Sequence, residues 1–304
     1  MPDYRIRQAK HVERLMIVDV LRKLDHLHPI ADYAYVGFGA QYFVDFSLMH
    51  RTLGISNMVS LEYEEALVPR CEFNKPFDSV DVRAGASWEH FGAMNFDGPT
   101  IVWADYVGPI QAAMLGDLDT LALRLPPGSV LMATLEAEPD DVELPPHGRL
   151  ELLEQRIGAD AIPNGTTDAD LGGWDNAAVL SRIVDNQIRS TVTNRVPTLS
   201  YEQLFNFHYR DTVRMITVGG VILNDAMRDQ FDAVPWAMLD GYRSGQDALR
   251  IELPHLTMRE LAHLDKQLPN GLDALTSPGL SDDDIKAYGE FYRYYPRYAL
   301  VDVQ

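Results

Sequence analysis

The sequence predicts an α/β fold: a mostly parallel sheet with helices on both faces and an antiparallel strand at one edge. An N-terminal helix precedes it and a small helical appendage follows. Three observations point there. Short apolar runs suited to strands alternate with amphipathic stretches at helical spacing through the first 135 residues. The first of these runs, YAYVGFGA at 33 to 40, ends in glycines. A chain of 304 residues, 46% hydrophobic and 23% charged, is long enough to bury a core and falls within the ordinary globular range.

Taken in order, Val12, Leu15, Met16, Val20, Leu24 and Leu27 recur at helical spacing, so an amphipathic helix opens the chain. Arg7, Lys10 and Arg14 share one face of it beside Glu13 and are expected to be solvated. Were the helix to fold over the carboxyl end of the sheet, that edge would instead meet an acidic substrate or a ligand's carboxylate. Pro29 breaks the helix, and the first strand follows. MVSLE at 58 to 62, SVDVRAG at 79 to 85, TIVWAD at 100 to 105 and PPGSVLMATL at 126 to 135 predict four more strands, with a helix over Gln111 to Leu125 before the last. Such βαβ units form parallel sheets whose ligands bind beyond the carboxyl ends of the strands.

Residues 136–173 are acidic and rich in proline and glycine, which predicts a loop-rich insertion able to cover a site. A helix from Asp175 to Arg189 follows. Residues 203–223 then predict strands joined by tight turns, with Gly219-Gly220 as one turn. Thr257 with Glu260, and Ser200 with Gln203, fit capping boxes, and Ser281 leads an acidic first turn. The expected organisation is an N-terminal helix over 1–30, an α/β domain over 31–248 and a helical appendage over 249–304.

Composition narrows the function. With 26 basic and 45 acidic residues the formal charge is -19, which repels polyanions and disfavours nucleic acid as a partner. RYYPRY at 293 to 298 is the one basic-aromatic cluster, and a packed terminal segment is its plainer reading. The single cysteine, Cys71, excludes an intrachain disulfide and fits a reducing compartment. No uncharged apolar run reaches the roughly 18 residues of a membrane span, and MPDYRIRQAK has no apolar signal core, so the expected location is cytoplasmic with no membrane partner. A like-subunit oligomer is compatible with this reading. His50, His90, His208, His255 and His263 show no metal-ligand spacing, and neither a G-x-S-x-G elbow nor a phosphate loop is present. Asp105 and Glu136, ending adjacent strands, supply only two oxygen donors, so no metal is expected.

The stretch YVGFGAQYFVDF, from Tyr35 to Phe46, carries most of the functional signal. Gly37-Phe38-Gly39 lets the chain turn and lets backbone N–H groups approach a ligand. Glu62, 25 residues after Gly37, ends the next strand where an acid accepts hydrogen bonds from ribose hydroxyls. Tyr42 stands where a dinucleotide fingerprint has its third glycine, which favours a nucleoside ligand without phosphates.

On these residues the chain resembles the class I S-adenosylmethionine-dependent methyltransferases, whose fold is Rossmann-like, over residues 33–135 and by strand order to 223. The wider pattern, with FNKPF and WADY, is similar to a bacterial O-methyltransferase group. The resemblance implies S-adenosylmethionine as cofactor, held by Gly37, Phe38, Gly39 and Gln41, with Glu62 on the ribose and Tyr63 on adenine. It places Gly85 and Ser87 at the base edge, and Asp105 and Tyr106 near the methyl group as the catalytic pair, Asp105 serving either as a base or as the holder of the methionine ammonium. Tyr35 stands where the family has an acid, and Gln41 where it has another glycine, so the ammonium contact falls to Asp45, Asp32 or a group from the N-terminal helix. The implied reaction is O- or N-methylation of a small molecule. A nucleic-acid methyltransferase and a catalytically inactive binding or assembly module are the alternatives.

Overall fold

The computed structural model describes residues 7–39, 41–140, 148–269 and 271–297. Five strands alternate with helices as the apolar runs require: β1 (Ala34–Gly37), β2 (Asn57–Glu62), β3 (Val80–Ala84), β4 (Thr100–Pro109) and β5 (Val130–Glu136). β6 (Ser200–Arg210), β7 (Arg214–Leu223) and the short β8 (Leu249–Ile251) complete one sheet in the order β3-β2-β1-β4-β5-β7-β6-β8. β7 alone is antiparallel to its neighbours, lying between β5 and β6 toward the β8 side of the sheet.

Helices cover both faces. α1 (Gln8–Leu21), α2 (Val44–Leu53) and α3 (Val68–Asn74) pack with Trp103, Met132 and Phe207 on one face. α4 (Ser87–Ala93), α5 (Ala112–Arg124), α6 (Arg149–Ile157) and α7 (Gly173–Thr193) pack with Val102, Ala104 and Ile216 on the other. α8 (Arg228–Asp232) joins the first face through Phe231. α9 (Met258–Asp265) and α10 (Asp282–Phe291) form a small cluster of their own around Leu264 and Tyr288, and Phe291 ties it to the main core. Both of these helices start on capping side chains: Thr257 Oγ1 and Ser281 Oγ accept from Glu260 N–H and Asp284 N–H.

The structure corrects three expectations. Gly219-Gly220 is no turn: both lie inside β7, where a methyl group at Gly219 would strike Met132 and one at Gly220 the Glu202 carbonyl. Glycine is needed there for close strand approach, opposite an irregularity in β6 between Gln203 and Phe205. Ser200 caps no helix, because it begins the almost wholly buried β6. The 136–173 stretch is not only loop, since α6 lies within it; its residues 141–147 fall outside the described residues.

Register sets the site. Gly37 lies level with Ser60 on β2 and with Trp103 on β4. β1 therefore stops two residues before β2 reaches Glu62 and β4 reaches Asp105, and these acids flank the gap where the β1 chain turns away. On the far side of β4, Asp105 is level with Thr134 of β5, which is level with Thr217 of β7. A polar row crosses the carboxyl end of the sheet.

Candidate active site

A cavity of about 680 Å³ opens at this end of the sheet. That volume lies within the range of small-molecule sites. Phe38, Gly39, Glu62, Tyr63, Gly85, Ser87, Asp105 and Tyr106 line it, whereas Gly37 and Gln41 are not among its lining residues. The glycines are required by packing. A methyl group at Gly37 would lie 2.8 Å from the Tyr35 hydroxyl oxygen, and one at Gly39 would lie 2.6 Å from Ser60 Oγ and 2.7 Å from the Phe43 ring. Gly39 N–H donates to Ser60 Oγ at 3.1 Å, fixing the turn. Phe43 then starts α2 from a left-handed backbone (φ 48°, ψ 36°), rare for a bulky residue, with its ring fully buried against Phe46.

On the β2 and β3 side, Glu62 Oε1 accepts from Glu64 N–H at 3.0 Å, and Cys71 Sγ lies 3.6 Å from Oε2. A carboxylate offers about four lone-pair sites, so acceptor capacity remains for a diol. Tyr63 and Trp88, both more than half exposed, stand 6.2 Å apart at the cavity edge. Ser87 Oγ and Tyr106 OH both donate to Asp117 Oδ2, at 2.5 and 3.0 Å. Burial raises the Asp117 pKa, while these two hydroxyls pull it back down. Burial, reinforced by Asp117, also holds the Tyr106 phenol well above its ordinary value, so Tyr106 is a proton donor and packing ring rather than a base.

Asp105 and Tyr106 are adjacent on a strand, so their side chains leave opposite faces of the sheet. Tyr106 packs edge-on to Phe38 at 5.4 Å on the α5 face. Asp105 turns to α1, where Lys10 Nζ lies 3.3 Å from its Oδ2.

This overturns the solvated reading of the α1 face. Lys10, Glu13 and Arg14 are buried. Lys10 Nζ also meets Glu13 Oε2 at 3.0 Å, donates to Thr134 Oγ1 at 3.3 Å and lies 4.6 Å from the Trp103 ring centre. Thr134 is bonded to Thr217 at 2.7 Å, and Thr217 donates to Glu13. Burial opposes the Lys10 charge, yet Asp105 and Glu13 hold its pKa above the ordinary value. Burial raises that of Glu13, with Lys10 acting against the rise. Arg14 Nε donates to Asp45, and both line the cavity. Asp211, in the β6–β7 turn, accepts from Ala9 N–H and Lys10 N–H at 2.9 and 3.1 Å, holding the start of α1 in place.

Sequence reasoning did not find Asp117, Trp88, Tyr209 or Asp211. Asp117 carried a usable signal, an acid interrupting the apolar stripe of Leu118, Leu121 and Ala122 on α5. The α1 charges carried another: apolar residues at 12, 16, 17, 18, 20 and 21 spread over more than one face, as in a helix buried on two sides. Among the described residues no group of three or more acids, histidines or cysteines is placed to hold a metal ion, and no helix is long and apolar enough to cross a membrane.

No functionally curated protein matches the sequence. Several solved structures resemble the fold at low identity. The N-methyltransferase NodS from Bradyrhizobium japonicum WM9 is 10% identical, with a TM-score of 0.39, over 68% of this chain and 98% of that one. The fibrillarin pre-rRNA processing protein of Methanococcus jannaschii is 12% identical, with a TM-score of 0.34, over 64% and 68%. LepI, solved in complex with SAM, is 8% identical, with a TM-score of 0.36, over 62% of this chain and 43% of that one, so the match spans under half of LepI. One family model matches from residue 2 to residue 303 and is described as "Putative O-methyltransferase"; this chain belongs to that family.

Proposed function

We propose that the cavity binds S-adenosylmethionine and that the chain methylates an oxygen or nitrogen of a small, partly apolar acceptor. The observation that carries this is the register at the sheet's carboxyl end: β1 stops short, Glu62 and Asp105 flank the gap, and the Gly39 turn lies between them in one cavity. The lining fits the cofactor's chemistry. Glu62 presents a carboxylate for a diol, Tyr63 and Trp88 present rings for a base, and Arg14, Asp45 and Asp105 present both charges for an amino-acid end. Family membership supports the same reading.

The acceptor is assigned to the remaining wall, where Met114, Val213 and Met215 are apolar and Glu136 is acidic. When bound, the cofactor supplies a methyl group on a sulfonium, open to in-line displacement. The chain's own work is alignment and proton removal. Lys10 fixes the Asp105 carboxylate beside the donor's amino-acid end, which leaves proton removal to another acid on the acceptor wall. Glu136 ends the neighbouring strand, and burial, with Glu138 and Asp140 nearby, raises its pKa in the direction a general base needs. Tyr106, tied to Asp117, packs against Phe38 and helps close the cavity. The charge of -19 favours an acceptor other than nucleic acid.

Calorimetry tests the cofactor: S-adenosylmethionine and its demethylated product are expected to bind, and no heat at about 1 mM donor would sink the reading. Glu62→Ala should weaken binding roughly ten- to a hundredfold, the scale of a lost hydrogen bond to a charged group, with little change in melting temperature. Methyl-labelled donor should pass label to small hydroxylated or amino compounds; label entering RNA instead would overturn the acceptor class.

A further inference from the structure

We infer that Glu136 selects an acceptor that carries an amine and receives it as a cation, so that nitrogen, and not oxygen, is the atom methylated. This inference rests on the cavity holding S-adenosylmethionine and names the acceptor class for that same site. Glu136 is the last residue of β5 and lines the cavity. It shares a face of the sheet with Met132 and Thr134, which pack toward α1, and stands about 7 Å beyond Thr134 along the strand. Asp105 is level with Thr134, so Glu136 lies outward of the acid that Lys10 holds, on the side of the acceptor wall. Met215 of β7 is its cross-strand neighbour.

Glu136 differs from the next two acids at alternate positions. Glu138 is neutralised by Arg214, and Asp140 by Arg156. Glu136 has neither a hydrogen bond nor an ion pair with any described residue. A partly buried carboxylate is costly to leave unpaired, and burial, with Glu138 and Asp140 nearby, pushes its pKa up. A cation on the ligand would complete the pair that the chain leaves open. The field of the cavity has the matching sign: seven acids line it against two arginines, and one of these, Arg14, is paired with Asp45. An anionic acceptor is repelled there and an ammonium is drawn in. Met114, Val213 and Met215 offer an apolar surface to the hydrocarbon that carries the amine. Once the ammonium is seated, an N–H bond breaks and its proton goes to the Glu136 carboxylate. The electron pair left on nitrogen then forms the bond to the methyl carbon, and the carbon–sulfur pair stays on sulfur.

The test uses the full chain saturated with the demethylated donor, and three probes of one shape: 2-phenylethylamine, 2-phenylethanol and phenylacetate. By calorimetry at neutral pH the amine should bind tightest, roughly tenfold or more ahead of the alcohol, with the phenylacetate anion last. Glu136→Gln should weaken the amine alone and bring it level with the alcohol, whereas a merely structural role would weaken all three together. Glu136→Asp, which keeps the charge on a shorter stem, should retain part of the preference, and unchanged donor affinity in both variants guards against a fold defect. With methyl-labelled donor, label should pass to amines and not to matched alcohols. Equal binding of amine and alcohol, binding of none of the three at about 10 mM, or an unchanged preference in Glu136→Gln would overturn the inference and leave the cofactor assignment standing. No heat from the donor itself would instead remove the cofactor reading beneath it.

Discussion

His208 and Tyr209 are neighbours on β6, and they face opposite sides of the sheet into two buried polar clusters. Tyr209 faces α1, with Lys10 Nζ 5.6 Å from its ring centre and the Glu13, Asp105, Thr134 and Thr217 network around it. His208 faces α7, where Nε2 is 2.9 Å from Ser181 Oγ and the ring stacks 6.1 Å from Trp174, itself covered by Arg250 at 4.3 Å. The first cluster buries charges of both signs and opens to the cavity through Asp105 and Tyr209; the second buries a histidine under Trp174 and Arg250 and does not reach the cavity lining. Burying polar groups is costly on either face. Only on the α1 face does the cost yield a charged group at the strands' carboxyl ends, lining the cavity, and that position distinguishes the two clusters.

Lys10→Met should have the largest effect, because it leaves Glu13 and Asp105 near each other without their shared cation. A loss of about 3–5 kcal/mol in urea-unfolding stability is expected, together with weaker donor binding. A variant as stable as wild type would show that this cluster is no more demanding than the other.

The His208 cluster should reveal itself through pH. Burial, helped by nearby Arg250, lowers the His208 pKa from 6.5 to about 4. The unfolded chain therefore binds a proton between those values that the folded chain refuses, and stability falls as pH drops from 6.5 toward 4. The loss reaches about 3 kcal/mol in the wild type and should be absent from His208→Gln, so that the two stability curves diverge as pH falls. Parallel stability curves for the two proteins across this range would contradict it. Ser181→Ala is the mildest probe. It should cost about 1 kcal/mol and leave donor affinity unchanged; altered affinity would break the division between the faces.

How much of this was legible in the sequence follows from the range of each interaction. The strands β1 to β7, most helices, the Gly37–Gly39 turn and the acids Glu62 and Asp105 declare themselves through local period and spacing, whereas β8 lies where a helical appendage was expected. The inward turn of Lys10, Glu13 and Arg14 is hinted at only by the spread of apolar residues around α1, because their partners Asp105, Thr217 and Asp45 lie 31 to 204 positions away. The divergence of Asp105 from Tyr106 was available from strand alternation alone. Asp117, by contrast, needed α4 and β4 in place before Ser87 and Tyr106 could identify it.

The bond from Asp211 to the start of α1 also orders events in time. The first helix leaves the ribosome early, but its anchor at Asp211 and its partner at Thr217 are made some 200 residues later. Until the β6–β7 hairpin exists, Arg14 and Lys10 can meet Asp45 and Asp105, but Glu13 lacks Thr217 and the start of α1 lacks its anchor. Contacts of such long range form late and slowly. The wall of the cavity that comes first in the chain is thus among the last to be completed, and a chain ending before the hairpin would lack the Asp211 and Thr217 contacts that hold it.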